Sequence, residues 1–242
     1  MTRKALLIGS PNGPDPELPG VDVDLRSIRE FLLSARGGAW YGHEITLLRN
    51  PNKASVNTEL ERSRSADYVF ITCSGHGEHH VYNNFDDTIL CLNKTEEMYI
   101  SEINPRNKRH LVVVDACRKI VKIVLLEKSL LAAKAYEFYE SPEDLARART
   151  LFDNAVASST EGRIALYSCQ KNQAAGDDGN GGVFTQSLLI AGKELKKKPT
   201  GIVDINEAFE YAKDMTYRLN APQSPTINAG RRRDYFPFSV SL

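Results

Sequence analysis

The sequence has no excess of charge of one sign and no long apolar run. Its 242 residues include 31 lysine and arginine residues and 31 aspartate and glutamate residues, for a formal net charge of +0. Such a chain has no overall field to attract a nucleic acid or a membrane surface, so we expect neither partner. No apolar stretch is long enough to span a bilayer. The apolar start is too short for a secretory signal, so we predict a cytoplasmic protein.

Cysteine is scarce, and its spacing excludes two common structural roles. The chain has four cysteines with irregular spacing and no CxxC pair. This pattern argues against a disulfide framework and against a structural zinc site, and it favours reduced thiols. We predict no cofactor and no metal, and we interpret Asp86–Asp87, the nearest approach to an acidic cation site, as a solvated turn. The cysteines are Cys73, Cys91, Cys117 and Cys169.

Apolar, strand-like segments alternate with amphipathic, helix-like segments along the chain. This alternation predicts an α/β fold with a mostly parallel sheet and helices on both faces. Two segments break the rhythm: 78–95 resembles a polar hairpin, and 121–157 resembles a helical insertion without a strand. The predicted strands are 4–8, 44–48, 68–72, 111–114, 164–167 and 236–240, and the predicted helices are 21–35, 55–64, 183–195 and 205–219.

Two predicted strands end in residues that carry chemistry. The run 68–73 leads into Ser-Gly-His-Gly with His76, and the run 111–114 leads into Asp-Ala-Cys-Arg with Cys117. Ligands of parallel sheets bind beyond the carboxyl ends of the strands, and a histidine near a cysteine favours the reactive thiolate. Glycines beside His76 allow backbone amides to approach a reacting carbonyl group. The two tips therefore suggest a nucleophile and its base.

The same residues also permit a structural interpretation. A buried cysteine usually packs as a small apolar side chain, and we expect this of Cys73, Cys91 and Cys169. A single histidine in a turn is more often structural than catalytic. The spacing alone leaves both interpretations of Cys117 and His76 open, because local cysteine signatures are specific to families.

Four motifs in order resemble caspase-like cysteine peptidases, the clan of caspases, metacaspases and their bacterial relatives. They are LPGVDVDLRSIREFL (18–32), SGHG (74–77), DACR (115–118) and IALYSCQKNQAAGDDGNGGVFTQSLL (164–189). The resemblance runs from residue 4 to about residue 240. It implies a three-layer sandwich with a central sheet of about six strands. It also implies one peptidase domain, 1–242, with a large-subunit-like part (1–120), a helical insertion (121–160) and a small-subunit-like part (161–242).

The resemblance implies a role for each motif residue. Cys117 attacks the scissile carbonyl group, and His76 protonates the leaving amine. The backbone amides of Gly77 and Cys117 form the oxyanion hole. Three acids, Asp24, Asp115 and Asp177, take positions of the substrate pocket, which predicts cleavage after arginine or lysine. Asp177, in a glycine-rich loop, could instead face water.

Two functional hypotheses follow from the sequence. The favoured one is an endopeptidase that acts on protein or peptide substrates, with an activating partner protein or domain. Relatives of this type serve as effectors in bacterial immunity or regulated cell death, and the resemblance implies such a role here. The alternative is a catalytically silent module that binds a partner protein, because Lys119–Ile120 replaces the glycine that usually follows the nucleophile motif.

Overall fold

Eleven strands and five α-helices lie within the described residues. The computed structural model describes residues 1–13, 17–82, 85–118, 140–177, 179–196, 201–219, 221 and 223–242. The strands are β1 (Arg3–Ser10), β2 (Ile45–Arg49), β3 (Tyr68–Gly75), β4 (Gly77–Tyr82), β5 (Phe85–Cys91), β6 (Glu97–Tyr99), β7 (Arg109–Ala116), β8 (Gly162–Tyr167), β9 (Ile202–Asp204), β10 (Thr226–Asn228) and β11 (Pro237–Val240). The helices are α1 (Pro19–Leu33), α2 (Lys53–Arg62), α3 (Pro142–Ser158), α4 (Val183–Glu194) and α5 (Ile205–Arg218).

A six-stranded sheet in the order β10-β8-β7-β3-β1-β2 forms the centre of the fold. The five strands from β2 to β8 in this order are parallel, and only β10 is antiparallel to its neighbour β8. The register of β3 and β7 pairs Ser74 with Asp115. His76 and Cys117, each two residues further along, therefore leave the sheet side by side at its carboxyl edge.

Alternating side chains of the sheet pack into two apolar layers. Leu7 and Phe70 point into the layer filled by α1, α3, α4 and α5. Ile8 and Ile71 point into the opposite layer, which α2 and the small antiparallel sheet β4-β5-β6 cover. The sandwich with helices on both faces, predicted from the sequence, is confirmed.

Helix α1 brings an acid to the carboxyl edge of the sheet. Its apolar side chains recur at helical spacing and are buried against the sheet. Proline at the first helical position fits the helix start, because its missing N–H has no intrahelical acceptor there. Asp24 lies on the same buried face, so burial of the helix also buries this carboxylate. The apolar side chains are Leu25, Ile28, Phe31 and Leu32.

The structure gives different outcomes for the two segments that break the alternation, 78–95 and 121–157. The polar segment 78–95 contains the β4–β5 hairpin, as predicted, but Asp86 and Asp87 lie within β5, so their interpretation as a turn is wrong. The predicted insertion, 121–157, contains most of α3, and Phe152 of this helix belongs to the main core. Residues 119–139, which include Lys119–Ile120, lie outside the described residues. The last strand pairs with β9 in a separate two-stranded sheet. Among the described residues, no helix is long and apolar enough to cross a membrane.

Candidate active site

A small cavity at the carboxyl edge of the sheet is lined by every side chain that the sequence analysis predicted for the active site. Its volume of about 30 Å³ leaves room for about one or two water molecules. His76 and Cys117 lie in its wall together with the three acids predicted for the substrate pocket. The lining residues are Leu18, Val21, Asp24, Gly75, His76, Asp115, Cys117, Ala175, Gly176, Asp177 and Gly182.

Cys117 directly follows β7 and is fixed by the loop after β8. Its Sγ lies 3.9 Å from the carbonyl oxygen of Ala175. The next residue, Arg118, donates its backbone N–H to Gln173 O at 3.0 Å, and Asn172 donates to Arg118 O at 3.1 Å. These two backbone bonds hold the thiol at the cavity although it lies beyond the last strand residue.

His76 is buried, with 6% of its surface exposed. Gly13, which the sequence analysis did not predict as a site residue, packs on the imidazole ring. A Cβ atom at Gly13 would lie 2.4 Å from the imidazole Cδ2, a separation that real side chains do not tolerate. Only glycine therefore lets the chain after β1 cover the histidine. No motif in the sequence around Gly13 indicates this contact.

Gly77 brings the histidine loop against the nucleophile loop. A Cβ atom at Gly77 would lie 2.7 Å from Ile89 O and 2.9 Å from Cys117 O. A larger residue would push the two strand tips apart. This contact places the peptide units of Gly77 and Cys117 close together, as an oxyanion hole requires, and that role stays a prediction.

Three buried carboxylates meet beside the thiol. Asp24, Asp115 and Asp177 are 3%, 6% and 9% exposed, respectively, and they come from α1, β7 and the loop before α4. The Gly182 N–H donates to both oxygens of Asp24, at 3.0 and 3.1 Å. The Ser74 hydroxyl donates to Asp24 Oδ2 at 2.9 Å. Because Asp177 is only 9% exposed, it does not face water, which excludes the alternative that the sequence left open.

Asp115 caps helix α4 from a distant strand. The helix has no side-chain cap of its own, because its N-cap residue is Gly182. Thr185 donates its backbone N–H and its hydroxyl to Asp115 Oδ2, at 2.9 and 2.7 Å. The positive end of the helix dipole stabilises a carboxylate in this place. Asp115 Oδ1, also buried, meets no donor in acceptable geometry among the described residues.

Burial raises the pKa values of two of these acids, Asp24 and Asp115. The pKa of Asp24 lies well above its usual value because the carboxyl is desolvated, and the charges of Asp115 and Asp177 raise it further. Burial also raises the pKa of Asp115, and the hydrogen bonds from Thr185 partly oppose this shift. No lysine or arginine lines the cavity among the described residues. Such a cluster is electrostatically suited to a cationic side chain.

The raised pKa of Asp24 predicts that this residue lowers stability at neutral pH. The folded chain holds the proton more tightly than the unfolded chain, whose aspartates titrate near about 3.9. Stability is therefore highest below that pH and falls as the pH rises toward the folded-state pKa. We expect Asp24→Asn to raise the melting temperature at neutral pH. The increase should be about 2–4 °C for each kcal/mol gained in the free energy of unfolding.

Thermal denaturation of the wild type and Asp24→Asn at acid and at neutral pH checks this expectation. The gain should shrink at acid pH, where the wild-type acid is protonated as well. Asp214→Asn on the exposed face of α5 is the matched control and should change little at either pH. An Asp24→Asn protein that melts below the wild type at neutral pH contradicts the argument.

Two of the remaining cysteines are buried, as expected of packing residues. Cys73 and Cys169 are fully buried, and burial raises the pKa of each thiol to about 12. Cys91 is half-buried in β5. Within the described part of the chain, no three histidine, cysteine or acidic side chains are placed to hold a metal ion together.

Comparison with known proteins places the chain in a family. Residues 2–236 match the family model of the caspase domain, peptidase family C14. The chain belongs to this caspase-domain family, whose members are proteolytic. Among curated proteins, no sequence matches the chain.

Two solved structures share the fold. A crystal structure of a protein from Geobacter sulfurreducens has a TM-score of 0.63 at 20% identity, covering 100% of both chains. The crystal structure of caspase-1 from Spodoptera frugiperda has a TM-score of 0.60 at 13% identity, covering 96% of this chain and 90% of that one. At these identities the two similarities establish the caspase-like fold alone.

Proposed function

We propose that this chain is a cysteine endopeptidase that cleaves protein substrates after arginine or lysine with Cys117 and His76. The observation that carries the proposal is the single cavity in which Cys117, His76 and the carboxylates of Asp24, Asp115 and Asp177 meet. In a chain of a proteolytic family, a thiol and an imidazole at adjacent strand ends are suited to acyl transfer.

The proposed reaction has two halves. The Cys117 thiolate forms a bond to the carbonyl carbon of the substrate, and the oxyanion accepts hydrogen bonds from the amides of Gly77 and Cys117. The C–N bond then breaks as the His76 imidazolium gives its proton to the leaving amine. Water attacks the resulting thioester while His76 takes up its proton, and the C–S bond breaks to release the acid product and restore the thiolate and the imidazolium.

The acids of the cavity supply the proposed substrate preference. A guanidinium group is a strong donor to carboxylate oxygens. Asp115 Oδ2 already accepts from Thr185, whereas Asp115 Oδ1 makes no hydrogen bond in good geometry among the described residues. Asp177 and Gly182, which both line the cavity, pair across the loop before α4.

Four further expectations stay predictions. They are the single domain with subunit-like parts, the cytoplasmic location, an activating partner, and a role as effector in bacterial immunity or regulated cell death. Each rests on the sequence or on the resemblance to the family.

Covalent labelling of the thiol tests the proposal against a catalytically silent binding module. We expect a peptidyl electrophile with a terminal arginine to modify Cys117 stoichiometrically and rapidly, as read by intact mass and peptide mapping. Cys117→Ala is the control and should take up no label. A folded wild-type protein that reacts no faster than a free thiol such as glutathione would support the silent module instead.

A further inference from the structure

Two glutamines join the loop after β8 to the segment before β10, next to the candidate active site. Gln223 is buried, with 5% of its surface exposed. Its Nε2 donates to Ser168 O at 3.1 Å, and its Oε1 accepts from the Gly176 N–H at 2.5 Å. In the opposite direction, the Ser224 N–H donates to Gln173 Oε1 at 2.8 Å. Each glutamine therefore binds the backbone of the other segment.

Gly176 is the middle residue of a stretch that forms the cavity wall beside the thiol. Ala175 precedes it and Asp177 follows it, and all three line the cavity. Ala175 O lies 3.9 Å from Cys117 Sγ. Gly176 O accepts from the N–H of Val183 at the start of α4, at 2.9 Å. With its N–H bonded as well, both backbone polar groups of Gly176 are engaged.

Gln223 fixes the direction of the peptide unit between Ala175 and Gly176. In a trans peptide the C=O and N–H groups point in opposite directions. Because the Gly176 N–H is held at Gln223, the carbonyl oxygen of Ala175 is turned the other way, toward the thiol. Glycine does not fix this direction by itself, since it adopts φ angles of both signs. The buried amide oxygen of Gln223 supplies the constraint that glycine lacks.

Loss of the Gln223 amide would leave two buried backbone groups without their partners. They are the carbonyl group of Ser168 and the N–H group of Gly176, and a buried polar group without a partner is costly. Rotation of the peptide unit before Gly176 gives this N–H another direction, but it turns the carbonyl oxygen away from the thiol and shifts Asp177. The thiol keeps its own support, because the backbone bonds that fix it do not involve Gln223.

We propose that Gln223 is a positioning residue that orients the Ala175–Gly176 peptide unit and thereby sets the cavity wall between the thiol and Asp177. The inference rests on the proposed peptidase function and adds a residue that determines how tightly the substrate is bound. Gln223 does not line the cavity, so it acts through the loop after β8.

Steady-state kinetics of Gln223→Met test the inference. Methionine has nearly the length of glutamine but no amide, so the contacts with Ser168 and Gly176 are both lost. We expect KM for an arginyl peptide to rise at least about tenfold, while kcat stays within about threefold of wild type. A loss of folded enzyme lowers the apparent kcat and leaves KM unchanged, so KM separates a positioning role from a role in stability.

Two further variants complete the kinetic test. Gln170→Met changes an exposed residue of the same loop; it is the matched control and should keep the wild-type KM. Gln223→Asn keeps the amide but is one methylene shorter, so it cannot reach both Ser168 O and the Gly176 N–H. It should raise KM at least about threefold, and it decides the question if Gln223→Met fails to fold. Folded Gln223 variants whose KM equals that of Gln170→Met overturn the proposal.

Hydrogen exchange separates this inference from the proposed function, because it needs no peptidase activity. In protein made with isotope-labelled glycine, NMR measures the amide exchange rates of Gly176 and Gly192 side by side. Gly192 lies inside α4 and serves as the reference for opening of the whole fold. Gln223→Met should speed exchange at Gly176 at least about tenfold relative to Gly192.

The exchange ratio and the kinetics together assign each failure to one of the two proposals. An unchanged ratio overturns the inference, whether or not any peptide is cleaved. A raised ratio in a chain whose wild type cleaves no peptide removes the peptidase and supports the role of Gln223 in holding the loop. A wild type that cleaves peptides while the Gln223 variants match it in KM leaves the peptidase standing and removes the positioning role.

Discussion

Replacing Cys117 with alanine is expected to lower peptide cleavage on the order of 10⁴-fold or more, and replacing His76 with alanine is expected to do the same. The two side chains leave adjacent strands β3 and β7 at the same edge and line one cavity. An enzyme that lacks either the thiol or its base retains only substrate binding and the oxyanion donors. The double variant should therefore lose little more than either single variant.

Steady-state kinetics on a basic peptide library measure this effect. Cys91→Ala is the matched control for the thiol because Cys91 lies in β5 and lines no part of the cavity; we expect it to stay within about threefold of wild type. The assignment is wrong if Cys117→Ala retains more than a tenth of wild-type turnover, which corresponds to only about 1.4 kcal/mol of barrier.

Substrates with arginine or lysine before the scissile bond are expected to be cleaved about 10³-fold better than substrates with aspartate. Asp24, Asp115 and Asp177 are buried together, and no cation lines this cavity in the described part of the chain. An aspartate side chain would add a further negative charge to a desolvated acid cluster. A guanidinium group would instead neutralise the cluster.

The same cluster makes the preference depend on pH. The pKa values of Asp24 and Asp115 are raised by burial, so at acid pH the cluster is partly protonated and attracts a cation weakly. As the pH rises through these pKa values, the acids ionise and KM for arginyl substrates should fall. Binding of the cation favours the ionised acids, so substrate binding should release protons to the buffer.

Asp115→Asn provides the sharpest form of this test. Asparagine retains an oxygen that can accept from Thr185 and cap α4, but it removes the charge. KM for arginyl peptides should rise at least about tenfold, and its dependence on pH should weaken, while iodoacetamide still alkylates Cys117. Asp214→Asn, on the exposed side of α5, is the control. Efficient hydrolysis of an aspartyl peptide by the wild type would falsify the pocket assignment and leave the thiol and imidazole untouched.

The sequence determined the five parallel strands of the central sheet and the identity of the candidate reactive residues. Apolar runs such as 111–114 define buried strands by themselves, because the pattern of burial is local information. The placement of His76 and Cys117 just after such runs predicted their position at the carboxyl edge. The resemblance to caspase-like peptidases added the acids of the pocket, and the structure brings all three of them to the cavity.

Only the tertiary structure decided how these residues are held. The parallel register of β3 and β7 sets His76 beside Cys117, and it depends on segments about forty residues apart. The capping of α4 by Asp115 and the packing of Gly13 on His76 join distant parts of the chain. Asp86 and Asp87 were misread as a turn because pairing with β4 draws them into a strand. Local periodicity specifies which residues are buried, whereas the donor that reaches a buried carboxylate or imidazole is fixed only when the layers pack.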